Sequence, residues 1–131
     1  MRYLLDANVL IALGSPRHEH HQIAHTWLSS VTHFSVCPIT EGALVRYMLR
    51  EKTPTGIITD FLNTIHTMSG CEFWPDDLSY TDVDYDTVIG HRQATDTYLA
   101  ALAAAHSGKL ATFDQALARR LPDQVTLISA T

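Results

Sequence analysis

The chain has little of what would place it in a membrane, in a disulfide-stapled fold, or on a nucleic-acid backbone by charge alone. No apolar run approaches the ~18 residues that cross a bilayer, and the single Arg near the N-terminus is followed by Asp6, unlike a secretory leader. A soluble, cytoplasmic protein with no membrane partner is expected. Cysteine is scarce. Cys37 and Cys71 form neither a CxxC pair nor a framework, and both neighbour apolar residues, so they read as buried free thiols. Basic residues are outnumbered too: nine Lys and Arg stand against 14 Asp and Glu, a net charge of −5 with the eight His neutral, which excludes a nonspecific basic coat. Nucleic acid is not thereby excluded, because clustered acids can recruit a divalent cation and present phosphate with local positive charge. A zinc site is missing as well. In His18-Glu19-His20-His21 the HExxH pattern fails at Gln22, and no third ligand stands near His21 and His25, so these histidines read as a polar substrate rim or a solvated helix face.

What is present fits one globular domain over residues 1–131, with 46% hydrophobic residues for a sizeable core. The organising stretch is Tyr3 to Leu13, an apolar run that breaks at Asp6 and resumes at Val9. It predicts a short buried strand turning directly into a buried helix. A lone buried carboxylate costs several kcal/mol (roughly) unless paired, hydrogen-bonded or bound to a cation, so Asp6 needs a reason to sit there.

Further along, Gly14-Ser15-Pro16 is a turn, and Ile23, Trp27 and Leu28 mark a helix over 20–29 with Trp27 inward. Residues 34–37 predict a strand, and Thr40 the N-cap of a helix to about Leu49 with Glu41 in its first turn. A second amphipathic helix runs from Ile57 toward Ser69-Gly70, a third strand is expected over 72–75, and 76–86 reads as an acidic loop with a short helix near 86–89. Thr95 is expected to cap a helix carrying Leu99, Leu102, Ala103 and His106, with Asp96 at its start. A strand at 110–113, Asp114 before a short helix, and a last strand at 125–128 complete the chain. Short apolar strands alternating with helices indicate an α/β domain with a mostly parallel central sheet flanked by helices.

Four acids share one address in such a fold. Asp6 and Asp114 follow strands, and Glu41 and Asp96 open helices, which puts all four at the carboxyl edge where open parallel sheets bind ligands. Helix N-termini favour an anion by ~0.3 to 1 kcal/mol each, too little to offset the repulsion of four carboxylates. A divalent cation would. Oxygen ligands without Cys or inward His suit Mg²⁺, with Mn²⁺ as substitute, and the setting is that of metal-assisted phosphodiester hydrolysis.

The segments Leu5-Asp6-Ala7-Asn8-Val9, Thr40-Glu41-Gly42, Thr95-Asp96 with Leu99-Ala100, and Ala111-Thr112-Phe113-Asp114 resemble the four acidic motifs of the PIN-domain ribonucleases, in particular the VapC-type toxins of toxin-antitoxin pairs. The resemblance covers nearly the whole chain, in order. It implies a single PIN-like domain in which Asp6, Glu41, Asp96 and Asp114 form the catalytic metal site and Asn8 and Thr112 orient carboxylates or water. It also implies cytoplasmic endonucleolytic cleavage of RNA, restraint by a small antitoxin, and a homodimer.

Blander roles are set beside these. Each helix-opening acid alone is an ordinary capping-region residue, and Asp60, Asp76, Asp77, Asp82, Asp84, Asp86 and Asp123 are left as solvated. His91 and Arg92 precede the Asp96 helix and stand either to meet a substrate phosphate or, for Arg92, to form a structural ion pair. Arg46 is expected to pair with Glu41 one turn away. Two other functions compete. An aspartate phosphatase would need a second acid two positions after Asp6, where Asn8 stands, and a non-cleaving PIN-like module would bind RNA or protein without cutting.

Overall fold

The computed structural model describes residues 1–129. In chain order its elements are β1 (Arg2–Leu5), α1 (Ala7–Gly14), α2 (His21–Ser29), β2 (His33–Val36), α3 (Pro38–Arg50), α4 (Thr55–Thr67), β3 (Cys71–Phe73), α5 (Ala94–Ala105), β4 (Lys109–Thr112), α6 (Gln115–Arg120) and β5 (Val125–Leu127). The strands form one sheet in the order β3-β2-β1-β4-β5, and every pairing is parallel. β1 therefore has a neighbour on each side, with Leu4 in register with Ser35 on β2 and Leu110 on β4. A strand in that position is covered on both faces and needs apolar residues at both parities. Leu4 and Leu5 meet that need, each fully buried.

The pleat sends successive side chains to opposite faces, and two cores result. Leu5 and Ala111 face one core with Val9 and Leu10 of α1, Leu28 of α2, Leu44 and Met48 of α3, and Ile58 and Ile65 of α4. Leu4, Leu110 and Val125 face the other with Trp74, Tyr98, Leu99 and Leu102 of α5, and Leu117 of α6. Helices on both faces of a parallel sheet make a three-layer α/β domain. The strand order reverses between β1 and β4, and a crevice at such a switch point is where doubly wound sheets bind ligands.

Several boundaries differ from expectation. The cap of α3 is Cys37, with Pro38 at the first helical position and Thr40 inside the helix, its hydroxyl closing a capping box with Cys37. Pro is favoured at that first position because its missing N–H has no helical acceptor. At α5 the cap is Gln93, and Thr95 lies within the first turn. Glu41 and Asp96 keep their first-turn positions in both cases. The third strand begins a residue early, at Cys71, and has ended before Trp74, which is buried in the second core. No helix forms at 86–89. A single 3₁₀ turn sits instead at Tyr80–Asp82, where Tyr80 stacks on Tyr98 at 4.4 Å and the Tyr98 hydroxyl donates to the Leu78 carbonyl at 2.8 Å. Aromatic anchoring to α5, rather than helical periodicity, shapes that loop. Trp27 is half-buried, edge-on to Tyr3 at 5.2 Å. Both cysteines are free, but Cys71 is only half-buried. Among the described residues no helix is long and apolar enough to cross a membrane.

Candidate metal centre

Asp6 is the residue between β1 and α1, where its extended backbone (φ −63°, ψ 158°) makes it the N-cap of α1. Its Oδ1 accepts from the Ala7 N–H at 2.8 Å and its Oδ2 from the Thr112 hydroxyl at 2.7 Å. Asp114 occupies the equivalent place after β4, capping α6 by accepting the Leu117 N–H at 3.0 Å. The two strands that flank the switch point thus each end in an aspartate. Asp96 reaches the same place from the first turn of α5.

Thr112 joins these parts. A hydroxyl has one donor and two acceptor lone pairs, and all three are used. It donates to Asp6 and accepts from the Asn8 amide at 3.0 Å and from the Asp114 N–H at 3.1 Å. The Asn8 amide oxygen in turn accepts from the Phe113 N–H at 3.3 Å. One buried threonine and one asparagine therefore fix the ends of β1 and β4 against each other.

The electrostatics follow from this crowding. Asp6 is 6% exposed, and its carboxyl is raised above the ordinary value mainly by burial, against the lowering effect of Thr112 and Ala7, with Asp114 raising it further. Burial also raises the carboxyl of Asp96, to about 6, with Asp6 and Asp114 adding to the shift and Arg120 opposing it. Three carboxylates thus bear on one another with one guanidinium beside them. Oxygen donors of this kind, short of positive charge, suit a hard divalent cation, which binds through one or two carboxylates and keeps several waters. Among the described residues no three His, Cys, Asp or Glu side chains stand together closely enough to hold a metal ion as they lie.

Glu41 stands apart from the three aspartates, on the β2–β3 side of the edge. His66, in the last turn of α4, donates from Nε2 to Glu41 Oε2 at 2.5 Å, and Glu41 acts electrostatically on Cys71 of β3. The expected pairing with Arg46 is not made, because His66 takes the carboxylate and Arg46 lies along its own helix beside Gly42. His91 and Arg92 form an exposed 3₁₀ turn before α5, and neither enters an ion pair among the described residues.

Two residues here escaped the sequence reading. His66 is 25 positions from Glu41, and the available signal was topological: in a helical hairpin the start of the first helix faces the end of the second. Arg120 comes from the last turn of α6 and donates to the hydroxyls of Thr87 and Thr97, both at 3.1 Å, next to Asp96. Nothing in the spacing of Arg120 distinguishes it from Arg119. His21 and His25, read as a rim or solvated face, bond the Ala12 and Leu13 carbonyls at the end of α1.

Fold and site together define an open parallel α/β protein with a group of aspartates at the switch point of its sheet edge. The PIN domain model matches residues 3–121, and the chain belongs to the PIN-domain family. It is 47% identical to Ribonuclease VapC29 of Mycobacterium tuberculosis over 100% of this chain and 99% of the relative. The fold is similar to VapBC2 of Rickettsia felis, solved with a promoter DNA fragment (TM-score 0.67, 15% identity, 97% of each chain). It is also similar to VapC20 of M. tuberculosis, a sarcin-ricin loop cleaving toxin (TM-score 0.68, 11% identity, 89% of this chain and 93% of that one). Family membership removes the phosphatase reading, and Asn8, engaged with Thr112 and Phe113, is not a general acid.

Proposed function

We propose that this PIN-domain protein is a metal-dependent endoribonuclease, the toxin of a type II toxin-antitoxin pair, with Asp6, Glu41, Asp96 and Asp114 as its catalytic residues. The observation that carries the reading is that Asp6 and Asp96, both raised by burial and by neighbouring aspartate charge, meet Asp114 at the switch point, in a chain 47% identical to a ribonuclease. The three aspartates, joined by Glu41, hold Mg²⁺, with Mn²⁺ as substitute. When bound, such a cation supplies Lewis-acid activation of water and neutralises charge at a scissile phosphate.

The protein's own part is positioning. Thr112 and Asn8 hold the Asp6 carboxylate and the Asp114 backbone in place, so little reorganisation is left for the moment of reaction. Arg92 and His91 meet phosphates flanking the cut, Arg92 through its bidentate fork. The chain acts in the cytoplasm on RNA, as a homodimer, and a small antitoxin silences it by placing a cationic or metal-blocking side chain at the aspartates, where negative charge is concentrated.

Incubating the purified protein with mixed cellular RNA, in Mg²⁺, in Mn²⁺ and in chelator, tests the reading. Discrete fragments are expected with either metal and none in chelator. Intact RNA under all three conditions, or equal cutting in chelator, overturns it. Expression alone should arrest growth, and a harmless free protein that cuts RNA in vitro would make a housekeeping nuclease the better description.

A further inference from the structure

The histidines between 18 and 25 divide by what holds them. His21 and His25 are spent on the carbonyls that end α1, whereas among the described residues His18 meets no carbonyl and His20 has only the exposed Glu19 carboxylate, 3.6 Å from its Nε2. The His20 ring lies on the ring of Phe113 at 4.5 Å between centroids and 16° between planes. The His18 ring follows at 5.6 Å, tilted by 43°. Three rings thus make a short column, and its base is fixed relative to the acids. Phe113 is the chain neighbour of Asp114, about 3.8 Å along the backbone, and its N–H is tied to Asn8. At the other end the His20 N–H donates to His18 Nδ1 at 3.1 Å. Phe113 touches the main core, but the His20 side chain is 37% exposed and both histidines are outside that core.

Two features give this column a ligand. Unpaired RNA bases are commonly bound by stacking on Phe and His side chains. A chain of net charge −5 has few cations with which to hold RNA through its phosphates, so affinity has to come from elsewhere. At 5.6 Å the His18–His20 step is tilted and too narrow for a ring to enter, so a base stacking on His20 takes the place of the His18 ring, which swings aside to line it.

We propose that His18, His20 and Phe113 form a stacking subsite that holds one unpaired nucleobase of the substrate beside the aspartates, an inference that rests on the ribonuclease reading. Binding of a fluorescein-labelled single-stranded RNA tests it by anisotropy in the cleavage-silent Asp96→Asn protein. Adding His20→Ala should weaken binding about tenfold, while adding His20→Phe, which keeps a stacking ring, should hold it within about twofold. Replacing bases one at a time by abasic nucleotides should reveal one position at which the His20→Ala penalty vanishes. Equal binding with and without His20→Ala, or a penalty that persists at every abasic position, overturns the subsite. The two readings fail separately. If the wild type cuts no RNA the nuclease assignment falls, and if it cuts RNA with a KM that His20→Ala leaves unchanged, the stacking subsite falls alone.

Discussion

On the β1–β4 side of the sheet edge the Asp6 and Asp114 carboxylates are tied to the backbone and, for Asp6, to a buried threonine, whereas on the β2–β3 side Glu41 has among the described residues one side-chain partner, His66, whose side chain is 38% exposed. A group fixed by buried neighbours cannot relax when its charge is uncompensated, so strain accumulates where the aspartates meet. A group held by one exposed side chain can move. The difference teaches that the first region is built to be ready and the second to adjust, and it predicts a graded response to mutation along the edge.

The largest effect is expected from neutralising the rigid side. Asp6→Asn, Asp96→Asn and Asp114→Asn should each lower RNA cleavage by about 10³-fold or more while far-UV circular dichroism is unchanged, because charge is lost and shape kept. Cleavage by any of the three within tenfold of wild type would break the comparison at its strongest point. Next comes Thr112→Val, which strips Asp6 of a donor and leaves the Asn8 amide and the Asp114 N–H without their acceptor. Unfolding by urea should show a loss of about 2 to 3 kcal/mol, since each buried group left unsatisfied costs about 1 kcal/mol or more. A loss under about 0.5 kcal/mol would mean that the threonine is incidental.

The adjustable side should respond less. Glu41→Gln is expected to lower cleavage about tenfold, with the deficit shrinking as Mn²⁺ is raised, as suits a ligand that serves only a second metal. A loss equal to that of Asp96→Asn would place Glu41 on the same footing as the aspartates and dissolve the distinction.

Much of this edge was legible because strand order is not needed to know where strands end. Asp6 and Asp114 interrupt apolar runs, and any parallel sheet puts such residues on one edge, while the supporting roles of Thr112 and Asn8 came only from the resemblance to the PIN-domain motifs. The Glu41–His66 contact depends on how the α3–α4 hairpin closes, and the reach of Arg120 depends on where the 76–93 loop lies. Neither has a local signature. The caps at Thr40 and Thr95 were misplaced for a related reason: Pro38 starts α3 three residues sooner than a cap at Thr40 would, and the 3₁₀ turn at 91–93 runs straight into α5.

The smallest effect separates charge from capping without any RNA. Two carboxylates about 5 Å apart repel by roughly 3 kcal/mol at an effective dielectric near 20, before screening and proton uptake. Asp96 titrates at about 6 in the folded protein against 3.8 for an unperturbed Asp, so the fold binds its proton more tightly than the unfolded chain does. Its stabilising contribution is complete below about pH 4 and is lost as pH rises through about 6. After discount for partial exposure, the loss at neutral pH is about 1 kcal/mol. Asp96→Asn should therefore raise the metal-free melting temperature at pH 7 by about 3 to 5 °C, with the gain disappearing near pH 4. Asp114→Asn should gain less, because Asp114 also caps α6 through the Leu117 N–H, and the amide that replaces it must keep that bond without the favourable charge. Added Mg²⁺ should then stabilise the wild type and leave Asp96→Asn nearly unmoved. A lower melting temperature for Asp96→Asn at pH 7, with the wild type indifferent to millimolar metal, would mean that the neighbouring aspartates do not load Asp96, and the site would lose its physical claim to a cation.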